Sequence, residues 1–375
     1  MRILVVSHEF PPLGGGGANA CYYLTKGYVE AGNEVTIVTA HYEGLPYRET
    51  INGAIVLRVR AKRKNREHCS FSEMAGYLLS AFPVINKLLK QQKFDICQVF
   101  FGIPSGPLGY WVKKRYKVPY VIRFGGGDIP GFQERFTKVY KWISPFLKII
   151  WRNADALVAN SQGLQQMALG FYDKREVKII PNGVDADYFM PSGRMNKDNS
   201  EINILFVSRL IERKGLQFVI PGLKEIIENS GRKIRLTVVG DGPYREQLEE
   251  MALENDVTDY IFFEGYKDKT ELPAYYQNAD VFILPSKKEG MPNVVLEALA
   301  CGLPIVMTPC EGAKELVNDN GLIVQQQDFV KALGALLKDE ASMKKMAAAS
   351  RNKAVREFSW EEIVSRYIQL FREFV

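Results

Sequence analysis

At 375 residues the chain exceeds the usual size of one domain, and a composition of 46% hydrophobic and 25% charged residues describes a globular protein with an ample core. The net charge of +6 is uneven, with 25 Lys/Arg against 15 Asp/Glu in residues 1–190 and 24 against 28 in the remainder, yet no recognition-helix, zinc-finger or single-strand-binding signature accompanies the basic half, so nucleic acid is not an expected partner. Five scattered cysteines (Cys21, Cys69, Cys97, Cys301, Cys310), no apolar run of about 20 residues and no signal-peptide pattern at Arg2-Ile3-Leu4-Val5-Val6 point away from disulfide-framed, zinc-binding, membrane-spanning and exported classes, and towards a cytoplasmic protein with reduced thiols.

In chain order, short β-branched or apolar runs predict strands at 3–7, 34–39, 96–99, 120–123, 156–159 and 177–180, and helical spacing occupies 19–31, 73–91 and 145–153. After the first strand comes Pro11-Pro12-Leu13-Gly14-Gly15-Gly16-Gly17-Ala18-Asn19, a glycine run ending at a helix start. Backbone without side chains there can approach a phosphate or sugar, with Gly16 and Gly17 closest to the helix; a plain structural turn is the alternative. Residues Gly15 to Ala20 also fit the dinucleotide pattern G-x-G-x-x-A, but the second strand lacks the acid that would hold a ribose.

Basic clusters follow at 58–66 (Arg58, Arg60, Lys62, Arg63, Lys64, Arg66), at Lys113-Lys114-Arg115 with Lys117, and at 132–152, where Arg135, Lys138, Lys141, Lys148 and Arg152 alternate with Phe136, Tyr140, Trp142, Phe146 and Trp151. They read either as a solvated face around packed helices or as a surface resting on anionic lipid at the inner face of a membrane. The stretch Arg123-Phe124-Gly125-Gly126-Gly127-Asp128 closes a central strand, and Asp128 reads as a hydrogen-bond acceptor for a sugar hydroxyl or as a turn residue.

The polar segment 188–200 separates this series from a second, with strands at 202–207, 235–239, 261–264, 281–284 and 304–308. Strand–helix alternation with apolar strands predicts two doubly wound, Rossmann-like α/β domains, residues 1–187 and 201–358, facing across a cleft lined by strand carboxyl ends. Ser359-Trp360-Glu361-Glu362 matches a capping box that opens a final amphipathic helix, 359–375.

In the second series, Arg209 and Lys214 follow the first strand and could converge on a diphosphate; Gly240-Asp241-Gly242-Pro243 turns after the next. Glu289-Gly290-Met291-Pro292-Asn293-Val294-Val295-Leu296-Glu297 follows the strand at 281–284 as a loop becoming a helix, with Pro292 in the first helical turn and two carboxylates able to grip a phosphorylated sugar.

The order Gly16-Gly17, Pro181-Asn182-Gly183-Val184-Asp185, Ser208-Arg209, Lys214-Gly215, Gly240-Asp241-Gly242-Pro243 and Glu289 with Glu297 resembles glycosyltransferase family four, retaining enzymes of GT-B fold, over nearly the whole chain. The resemblance implies a nucleotide-sugar donor, UDP-linked in the commonest case, held mainly by the C-terminal domain, an acceptor glycan or glycolipid held by the N-terminal one, and a last helix that returns to the first domain. It implies that Glu289 contacts the donor sugar and Glu297 the ribose, while Gly290, Met291, Pro292, Asn293 and Val294 present backbone to phosphate and sugar. Arg209 and Lys214 would stabilise the departing diphosphate, so that no cofactor and no metal is required. Asp185-Ala186-Asp187 matches the metal-binding D-x-D pattern but sits at the linker. Many relatives carry a histidine at the cleft where this chain has Arg123 to Asp128; His8, His41 and His68 lie elsewhere, and His8 reads as structural. A GT-B sugar-nucleotide epimerase, a nicotinamide-dependent oxidoreductase and a non-catalytic sugar-binding module are the rival classes.

Overall fold

The computed structural model describes residues 1–66, 69–132, 137–192 and 200–375, with only the backbone given for Thr137 and Lys138. His68, Arg135, Phe136 and most of the 188–200 segment thus lie outside the described residues. The chain forms two compact units, Met1–Asn182 with Trp360–Val375, and Gly183–Ser359.

The first unit runs β1 (Arg2–Val6), α1 (Gly16–Glu30), β2 (Glu34–Ala40), β3 (Arg48–Ile51), β4 (Ala54–Val59), α2 (Phe71–Gln91), β5 (Ile96–Phe100), α3 (Gly106–Tyr116), β6 (Tyr120–Arg123), α4 (Thr137–Asn153), β7 (Ala156–Ala159), α5 (Gln162–Phe171) and β8 (Val177–Ile179). Its sheet has the order β3-β4-β2-β1-β5-β6-β7-β8 and is parallel except for β3. Strands this apolar must be covered on both faces. Tyr77, Ala81 and Ile85 of α2, Val112 of α3 and Trp151 of α4 pack on one face with Leu4, Val6 and Val99. The opposite face, with Ile3, Val5, Ile37 and Val121, is covered by Cys21, Leu24 and Tyr28 of α1 and by the chain's last helix.

The second unit follows with β9 (Glu201–Val207), α6 (Leu223–Ser230), β10 (Lys233–Val239), α7 (Arg245–Glu254), β11 (Ile261–Gly265), α8 (Leu272–Asn278), β12 (Val281–Leu284), α9 (Asn293–Ala300), β13 (Ile305–Met307), α10 (Ala313–Leu316), β14 (Gly321–Ile323), α11 (Phe329–Lys338) and α12 (Glu340–Glu357). Six parallel strands take the order β11-β10-β9-β12-β13-β14. The final helix, α13 (Trp360–Arg372), belongs to the first unit.

Sequence periodicity located eleven of these strands and missed three. The β3–β4 hairpin turns at Asn52-Gly53, both with positive φ, a two-residue turn signal that the short, half-exposed β3 before it obscured. The third, β14, has only three residues. All five cysteines are free, and burial pushes the Cys21 and Cys301 thiols up to about 12. No helix of the described residues is long and apolar enough to cross a membrane.

The returning helix seats closely on α1. The Tyr23 and Trp360 rings stack with centroids 5.1 Å apart, and a Cβ on Gly27 would lie 2.4 Å from Val364 Cγ2. Gly27 is therefore the residue that lets the two helices touch. Gly27→Leu should overpack this contact and lower the unfolding free energy by about 2 kcal/mol, read from the denaturant midpoint, despite the better helix propensity of leucine.

Candidate active site

In the second unit the strand order reverses between β9 and β12, so the loops leaving their carboxyl ends part there, which is where open α/β sheets bind ligands. Gly215 ends the loop after β9 with φ +81°, and a Cβ there would sit 1.9 Å from the Pro285 carbonyl oxygen. Only glycine permits that approach. The neighbouring Arg213 carbonyl accepts from the Lys287 N–H at 2.9 Å, so the two loops are joined by backbone. Between them Lys214 Nζ lies 2.6 Å from Glu289 Oε1, with side chains only 15% and 12% exposed. Such a shielded pair needs both members, because either alone would be an uncompensated charge.

A second close contact shapes the same edge. Gly240 has φ +134°, and a Cβ would stand 1.9 Å from the Ser208 carbonyl oxygen. Arg209 follows Ser208 and is exposed on the loop that carries Lys214. From the other side, the Glu311 N–H donates to the Glu289 carbonyl at 3.1 Å and steadies the loop through Gly290.

Helix α9 begins immediately afterwards. Pro292 occupies its N-cap in an extended conformation (φ −73°, ψ 117°), one position earlier than the first-turn placement expected from sequence. No side chain caps this end and its first turn holds no acid, so the positive pole of the helix is not neutralised from within. Met291 and Pro292 are buried, as are Val295, Leu296, Ala298 and Leu299 of the inward stripe; Asn293 and Val294 are half-buried. Glu297 lies in the second turn and accepts a hydrogen bond from Tyr276 Oη at 2.8 Å. Burial pushes its carboxyl up to about 7, against the lowering effects of the Tyr276 hydroxyl and the Lys269 charge. Tyr276, on α8, was not singled out from sequence, since one aromatic in a short helix carries no signal of its partner.

The first unit reverses its strand order between β1 and β5. Helix α1 starts at Gly16 behind an N-cap Gly15 with no side-chain cap and no acid in the first turn. A Cβ on Gly17 would lie 2.5 Å from Phe101 Cζ, and Phe101 itself holds a positive φ of 70° at the end of β5. His8 packs edge-on to Phe101 with ring centroids 4.9 Å apart; burial and then the Arg63 charge hold its imidazole down at about 3, neutral at ordinary pH. Burial raises the neighbouring Glu9 carboxyl, an effect that Arg63 opposes.

Asp128 is 4% exposed, and its two carboxylate oxygens accept from Gly102 N–H at 2.6 Å and Gly125 N–H at 2.8 Å. It ties the loops after β5 and β6 together. Arg123, 1% exposed, donates to Asn182 Oδ1 and lies over the Phe100 ring at 5.3 Å. Arg58 and Arg63 are also buried, at 5% and 8% exposure, so this part of the first basic cluster is neither a solvated nor a lipid-facing surface. Arg58 pairs with Glu49 and the Pro46 carbonyl, and Arg63 with the carbonyls of Asn65 and Arg66. In the D-x-D match, Asp185 accepts from Tyr188 N–H at 3.0 Å, and among the described residues no group of three His, Cys, Asp or Glu side chains is placed to hold a metal ion.

The raised Glu297 carboxyl has a consequence for stability. In the unfolded chain it ionises near 4.5, whereas in the fold it keeps its proton to about 7, so its cost to folding grows as pH rises between these values and is complete above them. Glu297→Gln should therefore raise the unfolding free energy at pH 8 by roughly 2 kcal/mol and leave it nearly unchanged at pH 4, measured by denaturant titration.

Comparison with known proteins identifies the family and the fold. Residues 192–353 match the family model described as glycosyl transferases group 1, and residues 14–188 that described as glycosyltransferase family 4. An uncharacterized glycosyltransferase of Methanocaldococcus jannaschii is 25% identical over 99% of this chain and 98% of its own. A GDP-mannose-dependent alpha-(1-6)-phosphatidylinositol monomannoside mannosyltransferase of Mycolicibacterium smegmatis is 32% identical over 60% of this chain and 64% of its own. Among solved structures, sucrose-phosphate synthase from Thermosynechococcus elongatus superposes with a TM-score of 0.82 at 22% identity, over 100% of this chain and 98% of that one. Anabaena HepE in complex with UDP-glucose gives 0.74 at 17% identity over all of both chains. With both family models matched in succession and two parallel-sheet units of this type, the chain belongs to the family 4 glycosyltransferases of the GT-B fold and is a sugar-transferring enzyme.

Proposed function

We propose that the protein transfers a sugar from a nucleotide-sugar donor, UDP-linked, to a hydroxyl of a glycan or glycolipid acceptor with retention of the anomeric configuration. The observation that carries this reading is the Lys214–Glu289 pair at the β9/β12 reversal, beside the uncapped start of α9. Rupture of a sugar–phosphate bond leaves negative charge on the diphosphate. Lys214, Arg209 and the α9 N-terminus are positive groups on this edge that would meet that charge as it develops. Glu289, already hydrogen-bonded to Lys214, would hold the sugar, and Glu297 the ribose hydroxyls, with Gly240 and Gly290 to Val294 giving close backbone approach.

On the first unit, the glycine-led start of α1 at Gly16-Gly17 is the proposed sugar or phosphate contact. Asp128 is proposed to act as a positioning residue, because its carboxylate is occupied by two backbone N–H groups. Same-face attack by the acceptor hydroxyl, assisted by the departing phosphate, requires no enzyme nucleophile. The UDP assignment is supported by the HepE complex, and the glycolipid acceptor by the phosphatidylinositol mannoside enzyme; the latter also makes GDP the competing base.

Lys214→Ala, Glu289→Ala and Arg209→Ala should each reduce turnover by about 10²-fold or more in a chain that still folds, as expected when a group meeting transition-state charge is removed, the first two with lowered stability because the partner charge is left unpaired. Activity near wild type in all three would overturn the assignment. A thermal-shift panel of UDP, GDP and ADP with their sugars should show the largest stabilisation for the UDP series, because the tighter ligand raises stability more at equal concentration. Product analysis with donor alone separates transfer from epimerisation.

A further inference from the structure

We infer that the outer face of α2, α3 and α4 in the first unit is a docking surface for an anionic lipid bilayer. The three helices cover the same sheet face, with Tyr77, Val112 and Trp151 among the residues facing inward. Their outward side is unlike an ordinary solvated surface. On α4, Trp142 is 87%, Phe146 48% and Ile149 45% exposed; spacings of four and three place them on one stripe, opposite the fully buried Leu147, Ile150 and Trp151. Lys141, Lys148 and Arg152 flank that stripe in exposed positions, and α4 contains no acidic residue. The pattern of large apolar anchors bordered by Lys and Arg is that of a helix lying in a membrane interface.

The neighbouring helices continue the surface. Leu79 is 73% and Phe82 43% exposed on α2, and the Phe82 ring contacts that of Trp111 on α3 at 4.3 Å. The last turn of α3 adds the exposed Lys114 and Arg115, with no acid in the helix, while Lys113 is paired with Asp155 at 2.6 Å. In contrast, α13 on the opposite sheet face carries Glu361 and Glu362 in its first turn. The exposed Lys and Arg around the apolar anchors of α3 and α4 match a negatively charged lipid surface, where each cation near the headgroups strengthens binding roughly fivefold. A tryptophan in this position presents an amphipathic ring suited to the headgroup level. This surface lies wholly on the first unit and does not depend on the donor assignment.

Co-sedimentation of the full chain with vesicles of phosphatidylcholine containing about one third phosphatidylglycerol, and with pure phosphatidylcholine, tests the inference. Binding is expected to the anionic vesicles, weaker at high salt, with a blue shift of tryptophan emission. The triple variant Trp142→Ser/Phe146→Ser/Ile149→Ser should bind at least ~10-fold more weakly and lose most of the blue shift, since three interfacial anchors are removed. Lys141→Gln/Lys148→Gln should weaken binding roughly 20-fold at low salt, and it leaves the apolar positions untouched as a check should the triple variant fail to fold. Thermal stabilisation by UDP should be unchanged in both. The inference fails if the native chain ignores anionic vesicles, if both variants bind as the native chain does, or if the native chain is a dimer that the triple variant dissociates, which would assign the face to self-association.

Discussion

The approach of Gly215 to the Pro285 carbonyl is the constraint on which the proposed donor site rests. Adjacent parallel strands β9 and β12 deliver their loops to one place, and two backbones can meet there only where one has no side chain. That meeting brings Lys214 to Glu289 and shields both from water. Within such a site a charge pair interacts more strongly than at the surface, but it also holds two ions that water would otherwise solvate. Under the proposed function, a diphosphate would offer Lys214 a second anion, and a sugar would offer Glu289 a hydroxyl donor. In the proposed donor site, the two charges of this pair balance each other within the fold.

The first unit solves the same geometric problem around a ring. Phe101 stands where β5 ends, and Gly17 and Gly125 both leave room for it, with would-be Cβ atoms 2.5 Å from its ring carbons. His8 closes the other side, held neutral by burial, so its contribution is packing and polarity without charge. Asp128 fastens the loops that surround the phenylalanine. Both units therefore place glycine and a buried polar anchor at the point where strand order reverses.

Much of this was legible in the sequence because it depends on local chemistry. Apolar strands, the glycine run before α1, the loop-to-helix change from Glu289 to Glu297 and the last amphipathic helix each carry their pattern in a dozen residues or fewer. What was not legible depends on distant partners. Nothing near Tyr276 indicates that its hydroxyl meets Glu297, and nothing near Asp128 indicates that both its oxygens are taken by Gly102 and Gly125. The basic clusters show the same limit: a run of cations looks uniform in sequence, yet Arg58 and Arg63 are buried among carbonyls while Lys141 and Lys148 stand outside. Charge alone could not sort them; helix phase and strand pairing did.

The return of α13 to the first unit also bears on how the protein is made. Ile363, Tyr367 and Phe371 cover the sheet face that α1 alone leaves incomplete, and they are synthesised only after the whole of the second unit. The second unit, contiguous from Gly183 to Ser359, has all its parts available earlier. Domains ordinarily mature from the amino end as the ribosome proceeds. Here the amino-terminal unit must wait, its apolar face open, until the whole of the second unit has been made and α13 follows to close it.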